Sequence, residues 1–167
     1  KKNIFLKHIV EAKKAGADMV KIQTYEADDL TLRSNRKEFR IKSGIWKNRN
    51  LWDLYKKAQT PYDWHYDAFK IAKKIKIPIF STPFSIKALK FLDNFKPTIY
   101  KVASFEITDL NLIREIAKKR KPVILSTGMA KISEISNAVK EIEKIHKKII
   151  ILHCVSGYPT PESEANI

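Results

Sequence analysis

Residues 77–104 read IPIFSTPFSIKALKFLDNFKPTIYKVAS, and this stretch decides the fold because it holds two apolar strand patterns with one helical pattern between them. The strands are predicted at 77–84 and 98–104, and the helix at 87–95. Both strands are apolar runs rather than alternating ones, which is typical of parallel strands covered on both faces. The stretch therefore predicts one βαβ unit of a parallel sheet.

The same strand–helix rhythm continues on both sides of this unit. Further strands are predicted at 17–25, 122–128 and 148–156, and further helices at 3–15, 51–59, 62–75, 109–120 and 132–146. Gly16 is predicted to end the first helix, and a long polar insertion extends to about residue 50. A Rossmann sheet and a (β/α)8 barrel share this rhythm. No Gly-x-Gly-x-x-Gly motif follows a strand, which argues against a dinucleotide site.

The composition of the 167 residues fits one domain with a strongly basic balance, a net charge of +15. The lysines are spread over helix patterns such as AKKAG and YKKAQ and predict solvated faces, so no nucleic-acid partner is expected. No apolar run reaches membrane-spanning length and no signal peptide is visible, so no membrane partner is expected. The single cysteine, Cys154, excludes an internal disulfide and favours a reducing, cytoplasmic setting. We interpret it as a small core residue rather than a reactive thiol.

Polar side chains cluster where each predicted strand ends. They are Lys21, Gln23 and Thr24; Ser81 and Thr82; Lys101, Ser104 and Glu106; Ser126 and Thr127; and His153, Ser156 and Tyr158. In barrel enzymes the active site lies at the carboxyl ends of the strands. Lysines and hydroxyls gathered there predict an anion site. The alternatives are that the hydroxyls cap helices, that the lysines reach solvent, and that Glu106 belongs to a helix start.

The stretch YKVASFEITD, residues 100–109, poses a problem of parity. Strict alternation would place Lys101 on the face opposite Ser104 and Glu106. We therefore predict that the strand ends or bulges near Ala103, so that Ser104 and Glu106 lie in the following loop.

The four histidines do not predict a metal site. His8 and His146 lie in helix patterns, His65 lies in the exposed-looking PYDWHYDAF, and His153 is interpreted as a core histidine within a strand. No paired cysteine or histidine spacing accompanies them.

Five motifs, KIQTY, FSTPF, YKVASFEITDL, KPVILSTGMA and LHCVSGYPTP, occur in an order that resembles the sialic acid synthase family. The segment IKSGIWKNRNLWDLYKKAQTPYDWH and the wording ASFE resemble the pseudaminic acid branch of that family. Members of the neuraminate branch more usually show PSGE, and an asparagine where this chain has Ser156.

The resemblance implies an α/β fold, a (β/α)8 TIM barrel that is incomplete in this chain. Residues 1–167 would be a partial catalytic domain with about five strands, and the first strand, the last two strands and an antifreeze-like C-terminal domain would lie outside it. The implied reaction condenses phosphoenolpyruvate with 2,4-diacetamido-2,4,6-trideoxy-L-altrose and uses Mn²⁺ or Mg²⁺. The full-length protein would be a homodimer, and the isolated piece is expected to be inactive.

The resemblance also assigns roles to single residues. Lys21, Thr82, Lys101, Ser104 and Ser126 match positions that hold phosphoenolpyruvate; Gln23 and Tyr158 match positions that face the sugar; Ser156 is a further binding candidate. Glu106 matches the proposed acid–base carboxylate, and the metal ligands are expected beyond Ile167. The alternatives are neuraminate or legionaminate synthesis, another phosphoenolpyruvate–aldehyde condensing barrel, and a non-catalytic binding module derived from the barrel.

Overall fold

A computed structural model describes residues 1–157 and 159–167 of the chain. Five parallel strands form one sheet, and their order in the sheet is their order in the sequence. The strands are β1 (Val20–Thr24), β2 (Ile79–Pro83), β3 (Tyr100–Val102), β4 (Val123–Ser126) and β5 (Ile149–Leu152). A doubly wound sheet would reverse its strand order at a switch point. The sequential order is that of part of a (β/α) barrel.

Seven α-helices are found in the described residues, and they lie where the sequence predicts helices, apart from one short helix in the insertion. They are α1 (Lys2–Lys14), α2 (Ala27–Leu30), α3 (Leu51–Ala58), α4 (Tyr62–Lys74), α5 (Ile86–Leu92), α6 (Leu110–Ala117) and α7 (Ile132–Glu143). Gly16 follows α1 with φ of +87°, as its predicted role at the helix end requires. The insertion contains α2, a 3₁₀ turn and an antiparallel bridge between Arg40 and Asn50.

The core lies between the sheet and the helices that connect its strands. Val102, Val123 and Leu125 of the sheet pack with buried residues of α6 such as Leu112 and Ile116. Burying one such aliphatic side chain contributes about 1.5–3 kcal/mol. A second cluster joins Ile22 and Ile79 to Ile9, Ala68 and Ala72 of α1 and α4. The two clusters fix which face of each strand is turned toward the helices.

The prediction that the strands are covered on both faces is confirmed only for β2, which is buried throughout. In β1, Ile22 and Thr24 are buried while Lys21 and Gln23 are exposed. In β5, Ile150, Ile151 and Leu152 are all exposed, since β5 lies at the sheet edge and pairs with β4 alone. One face of the sheet is therefore open along much of its width.

Three further sequence-based predictions are wrong. Ile132 shares the helical spacing of the apolar residues Ile135, Val139 and Ile142, which predicts that it lies on the same buried face of α7; it is instead 82% exposed, because it lies in the first turn of the helix, beyond the core. His65, predicted to be exposed, is fully buried because α4 turns it toward the end of β1. His153, predicted as a core residue, is exposed because β5 ends one residue earlier, and its Nε2 lies 2.8 Å from the carbonyl oxygen of Ala165.

Cys154 is only partly buried, two residues past the end of β5, so it is not the core residue that we predicted. Within the described residues, none of the helices combines the length and the apolar character that crossing a membrane requires.

Candidate active site

The strand register places three predicted site residues in one row across the sheet. Gln23 of β1 pairs with Thr82 of β2, and Ser81 pairs with Tyr100 of β3. The residues that follow this second pair, Thr82 and Lys101, therefore also lie side by side. Alternate residues of a strand point to the same face. Because Ile22 and Val102 face the helices, the row Gln23–Thr82–Lys101 faces the open side. Lys21 lies on the same face, two residues before Gln23 in β1.

The end of β3 confirms the prediction drawn from parity. β3 stops at Val102, and residues Ser104–Thr108 form a 3₁₀ helix that starts after Ala103. The Glu106 amide donates to the Ala103 carbonyl at 3.1 Å. This turn takes Ser104 and Glu106 out of the strand alternation, so that neither side chain is forced onto the face opposite Lys101.

Three loops meet at Gly128, which follows β4. A Cβ added to Gly128 would lie 2.5 Å from the Cβ of Ser104, 2.6 Å from Ser104 Oγ and 2.8 Å from Ser156 Oγ. Gly128 also has φ of +39°, in the region that favours glycine. The loops after β3, β4 and β5 thus bring the side chains of Ser104 and Ser156 close to the backbone of Gly128, which has no side chain of its own. We call Ser104, Gly128 and Ser156 the Gly128 cradle.

Three buried polar atoms of the predicted site have no hydrogen-bond partner among the described residues. They are Thr82 Oγ1, Glu106 Oε2 and Ser156 Oγ. Leaving such a group unsatisfied costs about 1–3 kcal/mol. Most buried polar groups in proteins are paired, and exceptions of this kind often have a functional reason. Their occurrence on the loops and strands that meet here indicates a binding site for a polar ligand.

Two lysines, Lys21 and Lys101, form the cationic side of the site, and the pKa of each is lowered. Lys21 is exposed on the open face of the sheet, but the protein atoms around it still partly desolvate its ammonium group; this desolvation, and then the positive charge of Lys101, lower the pKa of Lys21. Burial lowers the pKa of Lys101 as well, while the Cys154 thiol and Glu106 act in the opposite direction. Within the described part of the chain neither lysine takes part in an ion pair. A bound anion would relieve the repulsion between the two ammonium groups.

Glu106 carries the acid–base capacity of the site. Burial raises the pKa of Glu106 to about 7; its own backbone amide and Lys101 oppose this shift, and Asp109 adds to it. A carboxyl group that titrates near neutrality can both give and take a proton at physiological pH. This property, together with its unpartnered Oε2, makes Glu106 the strongest candidate for a catalytic side chain.

Of the remaining strand-end residues, some face the candidate site and others make hydrogen bonds within the fold. Ser126 is buried and follows Leu125, which faces the helices, so Ser126 belongs to the site side of β4. The hydroxyl of Thr127 donates to the Leu152 carbonyl at 2.9 Å and ties the loop after β4 to the end of β5. Thr24 and Ser81 are hydrogen-bonded to each other on the helix side of the sheet. Tyr158, predicted to face the sugar, lies outside the described residues.

Comparison with known proteins assigns the family: the model described as "NeuB family" matches residues 8–167. The chain belongs to the NeuB family. This confirms the resemblance to sialic acid synthases that the five motifs predict.

Individual NeuB relatives are similar over nearly all of the chain. It is 48% identical to a pseudaminic acid synthase of Campylobacter jejuni over 97% of the chain and 48% of that protein. It is 43% identical to a pseudaminic acid synthase of Helicobacter pylori over 93% of the chain and 46% of that protein. The N-acetylneuraminic acid synthetase structure from Leptospira borgpetersenii matches with a TM-score of 0.84 and 32% identity, over 99% of the chain and 53% of that structure. The chain thus spans about half the length of the relatives it matches.

The described part of this NeuB chain offers no fitting ligand set for the divalent metal that the family resemblance implies. Among residues 1–157 and 159–167, no three histidine, cysteine, aspartate or glutamate side chains are grouped closely enough to hold an ion. The candidate residues contribute lysines, hydroxyls and one carboxylate, a set suited to anions rather than to Mn²⁺ or Mg²⁺.

Sequence reasoning missed two contributors to the NeuB site. The first is Gly128, whose signal in the sequence is its place in STG, directly after a strand. The second is Cys154, whose side chain lies close enough to Lys101 for a negative charge on its sulfur to raise the pKa of that lysine. A lone cysteine in an apolar run carries no sequence signal for such a position.

We expect Gly128→Ala to lower the free energy of unfolding by about 2–4 kcal/mol, from left-handed backbone strain and from contact with Ser104. Gly16→Ala is the matched control, since Gly16 also has positive φ but no atom within 4 Å of an added Cβ. It should cost only the strain, about 1 kcal/mol. Adding Ser104→Gly to Gly128→Ala should restore part of the loss. Urea unfolding measures all four proteins; equal losses at both glycines would contradict the close approach.

Proposed function

We propose that the chain forms the phosphoenolpyruvate-binding part of a pseudaminic acid synthase. The reaction condenses phosphoenolpyruvate with 2,4-diacetamido-2,4,6-trideoxy-L-altrose and yields pseudaminic acid and phosphate. One observation carries the proposal: the unpartnered hydroxyls of Thr82 and Ser156 lie among strand ends that also supply Lys101 and a carboxyl group of pKa about 7.

The anion half of the site fits the chemistry of phosphoenolpyruvate. A phosphate ester and a carboxylate require positive charge and several hydrogen-bond donors. Lys21 and Lys101 supply the charge as compact ammonium groups. Thr82, Ser104 and Ser126 supply hydroxyls, and the missing side chain of Gly128 lets Ser104 and Ser156 approach its backbone closely.

The sugar half of the site is proposed to include Gln23, Ser156 and Tyr158. Gln23 is exposed on the open face next to Thr82, which supports a position beside phosphoenolpyruvate. The closeness of Ser156 Oγ to Gly128, which Ser104 also approaches, supports a place where the two substrates meet.

In the proposed reaction, C3 of phosphoenolpyruvate attacks the aldehyde carbon of the open-chain sugar, and a C–C bond forms. The aldehyde oxygen takes up a proton and becomes a hydroxyl group. Water adds to the cationic C2, loses a proton, and the tetrahedral intermediate expels phosphate as its C2–O bond breaks. Glu106 is proposed to move these protons, and the lysines to stabilise the departing phosphate. We propose that residues beyond Ile167 bind the divalent ion. Neither the proton transfers nor the stabilisation of phosphate is assigned to that ion.

The sugar is proposed from the pattern of similarity. Identity is 48% to a pseudaminic acid synthase and 32% to an N-acetylneuraminic acid synthetase. The motif ASFE at residues 103–106 also supports the pseudaminic acid branch. Neuraminate or legionaminate synthesis is the alternative within the family.

The test uses the complete protein that contains this chain, supplied with Mn²⁺ or Mg²⁺. Phosphate release should require both phosphoenolpyruvate and the L-altro sugar, and mass spectrometry should detect the nonulosonic acid product. The D-manno acylamino sugar, assayed in parallel, should give much lower kcat/KM. Higher kcat/KM with the D-manno sugar would favour the alternative, and binding of phosphoenolpyruvate without any turnover would favour a binding module.

We further propose that the enzyme is cytoplasmic, dimeric and specific for small molecules. The reaction would take place in the cytoplasm, with two copies of the complete protein forming a dimer. Residues 1–167 would be part of its catalytic barrel, followed by an antifreeze-like domain. Small molecules, rather than nucleic acid or membrane, would be its binding partners.

A further inference from the structure

A buried chain of hydrogen bonds on the helix side of the sheet links α4 to β1 and β2. The imidazole Nδ1 of His65 lies 3.2 Å from the Pro61 carbonyl oxygen, and Nε2 lies 2.8 Å from Thr24 Oγ1. Thr24 Oγ1 lies 2.7 Å from Ser81 Oγ, which lies 3.1 Å from the Ile22 carbonyl oxygen. His65, Thr24 and Ser81 are fully buried. We call these three residues the His65 relay.

The partners determine the direction of the relay. The Pro61 carbonyl can only accept, so Nδ1 carries the proton, and Nε2 of a neutral ring then accepts from the Thr24 hydroxyl. Thr24 Oγ1 in turn accepts from Ser81, so the single hydroxyl proton of Ser81 is shared between Thr24 Oγ1 and the Ile22 carbonyl oxygen. Burial lowers the pKa of His65, against the opposing effect of the Pro61, Tyr62 and Gln23 carbonyl groups, so the neutral ring is the relevant form near pH 7.

The relay lies directly behind two residues of the candidate site. Thr24 follows Gln23 in β1, Ser81 precedes Thr82 in β2, and Gln23 and Thr82 are paired in the register. Neighbouring residues of a strand point to opposite faces. Whatever holds Thr24 and Ser81 from the helix side therefore also sets the backbone from which Gln23 and Thr82 face the substrate.

Thr82 depends on such support because its own hydroxyl has no partner among the described residues. No hydrogen bond of its own therefore fixes the direction of this buried hydroxyl within the described residues. Ser81, one residue earlier, has two hydrogen-bond contacts, both to β1.

The aromatic surroundings of His65 indicate that its ring nitrogens are needed for hydrogen bonding rather than for packing. The ring packs edge-on against Phe91 with centroids 5.3 Å apart and lies 6.4 Å from the Phe95 ring. An apolar ring would fill this space without the cost of burying two polar nitrogens, which is recovered only through well-oriented hydrogen bonds. The gain from histidine is the fixed geometry of the relay.

We propose that His65 is a positioning residue of the synthase, which through Thr24 and Ser81 orients Gln23 and Thr82 toward the substrates. The catalytic part of this inference rests on the proposed function. His65 itself touches no substrate, because it lies behind the sheet.

The first test measures kinetics in the complete protein. His65→Phe keeps the ring but loses both nitrogens, and should lower kcat/KM for phosphoenolpyruvate by about 10-fold at temperatures where the variant is fully folded. His65→Gln, whose amide can again accept from Thr24, should recover most of this loss. Thr24→Val should reproduce the loss, and combining it with His65→Phe should add little, because both break one relay.

Tyr66→Leu is the matched control. Tyr66 follows His65 in α4 and contacts the same Phe91 and Phe95 rings, but its side chain takes no part in the relay. It should lower stability and leave kcat/KM per folded molecule unchanged. If His65→Phe behaves in the same way, the relay only stabilises the fold and the proposal is wrong.

A second measurement does not depend on turnover. In NMR spectra of the same proteins, His65→Phe should shift the side-chain amide of Gln23 and the backbone amide of Thr82 more than Tyr66→Leu does. Unchanged signals would overturn the positioning role whatever the reaction is. A wild-type protein without phosphoenolpyruvate-dependent turnover would contradict the proposed function, and the NMR result would still decide the role of His65.

Discussion

Replacing Glu106 with glutamine in the complete protein should lower kcat of the proposed synthase reaction by about 10²–10⁴-fold and leave the Kd for phosphoenolpyruvate nearly unchanged. Glutamine keeps the size of the side chain but cannot give or take a proton. Glu106 Oε2 is buried without a partner among the described residues, and burial raises the pKa of this carboxyl to about 7. The wild-type pH–rate profile should therefore show an inflection near pH 7 that the variant lacks. Stopped assays of phosphate release from pH 5.5 to 8.5 measure both effects.

The stability of the same variant shows whether lost activity reflects damage to the fold. The folded-state pKa of Glu106 is raised above its ordinary value of 4.5, so its contribution to stability is full below that value and is lost as pH rises through about 7. Glu106→Gln should therefore be more stable than wild type at pH 8, by about 1–3 kcal/mol, and nearly equal at pH 4. Glu115→Gln, at a half-buried position of α6 where the carboxylate pairs with Lys118, lies outside the candidate site and should leave kcat unchanged. A drop in phosphoenolpyruvate affinity as large as the drop in kcat would contradict the acid–base role.

Much of the fold follows from the sequence because apolar periodicity reports burial directly. The pattern from residue 77 onward predicts each βα unit, and the observed strands lie inside every predicted one. The end of β3 near Ala103 follows from parity alone, since a cation at position 101 and a carboxylate at position 106 cannot face the same side of one straight strand. The lysines, hydroxyls and Glu106 were likewise predictable as a group, because parallel strands deliver their carboxyl ends to one edge.

What the sequence does not predict depends on which elements become neighbours. The burial of His65 requires the end of β1 and the rings of α5 to meet α4, and no local pattern encodes that meeting. The shape of the Gly128 cradle requires three loops to converge. The exposure of β5 depends on its place at the sheet edge, although its residues are as apolar as those of β4. Local patterns therefore predict burial and direction, whereas contacts between distant segments decide the fine geometry of the site.

Replacing Lys101 with methionine should weaken phosphoenolpyruvate binding by about 10–100-fold, because a hydrogen bond to a charged group contributes about 1.5–3 kcal/mol. Methionine preserves most of the stem and its packing but removes the ammonium group. Lys101 is partly buried next to Thr82 and has no ion pair within the described part of the chain, so its charge is free for the ligand. The loss should be incomplete, because removing this charge also relieves the lowered pKa of Lys21. Titration calorimetry with phosphoenolpyruvate measures the change.

Lys140→Met separates a local effect from a general one. It removes the same single charge from a chain of net charge +15, but from the exposed surface of α7, and should change the Kd by less than about twofold. A second effect is expected for Lys101→Met and not for Lys140→Met. The positive charge of Lys101 lowers the pKa of Glu106, so Lys101→Met should move the inflection of the pH–rate profile to higher pH. Lys140 has no such influence. An unchanged Kd with an unmoved inflection would exclude Lys101 from the anion site and leave Lys21 as the remaining cationic candidate.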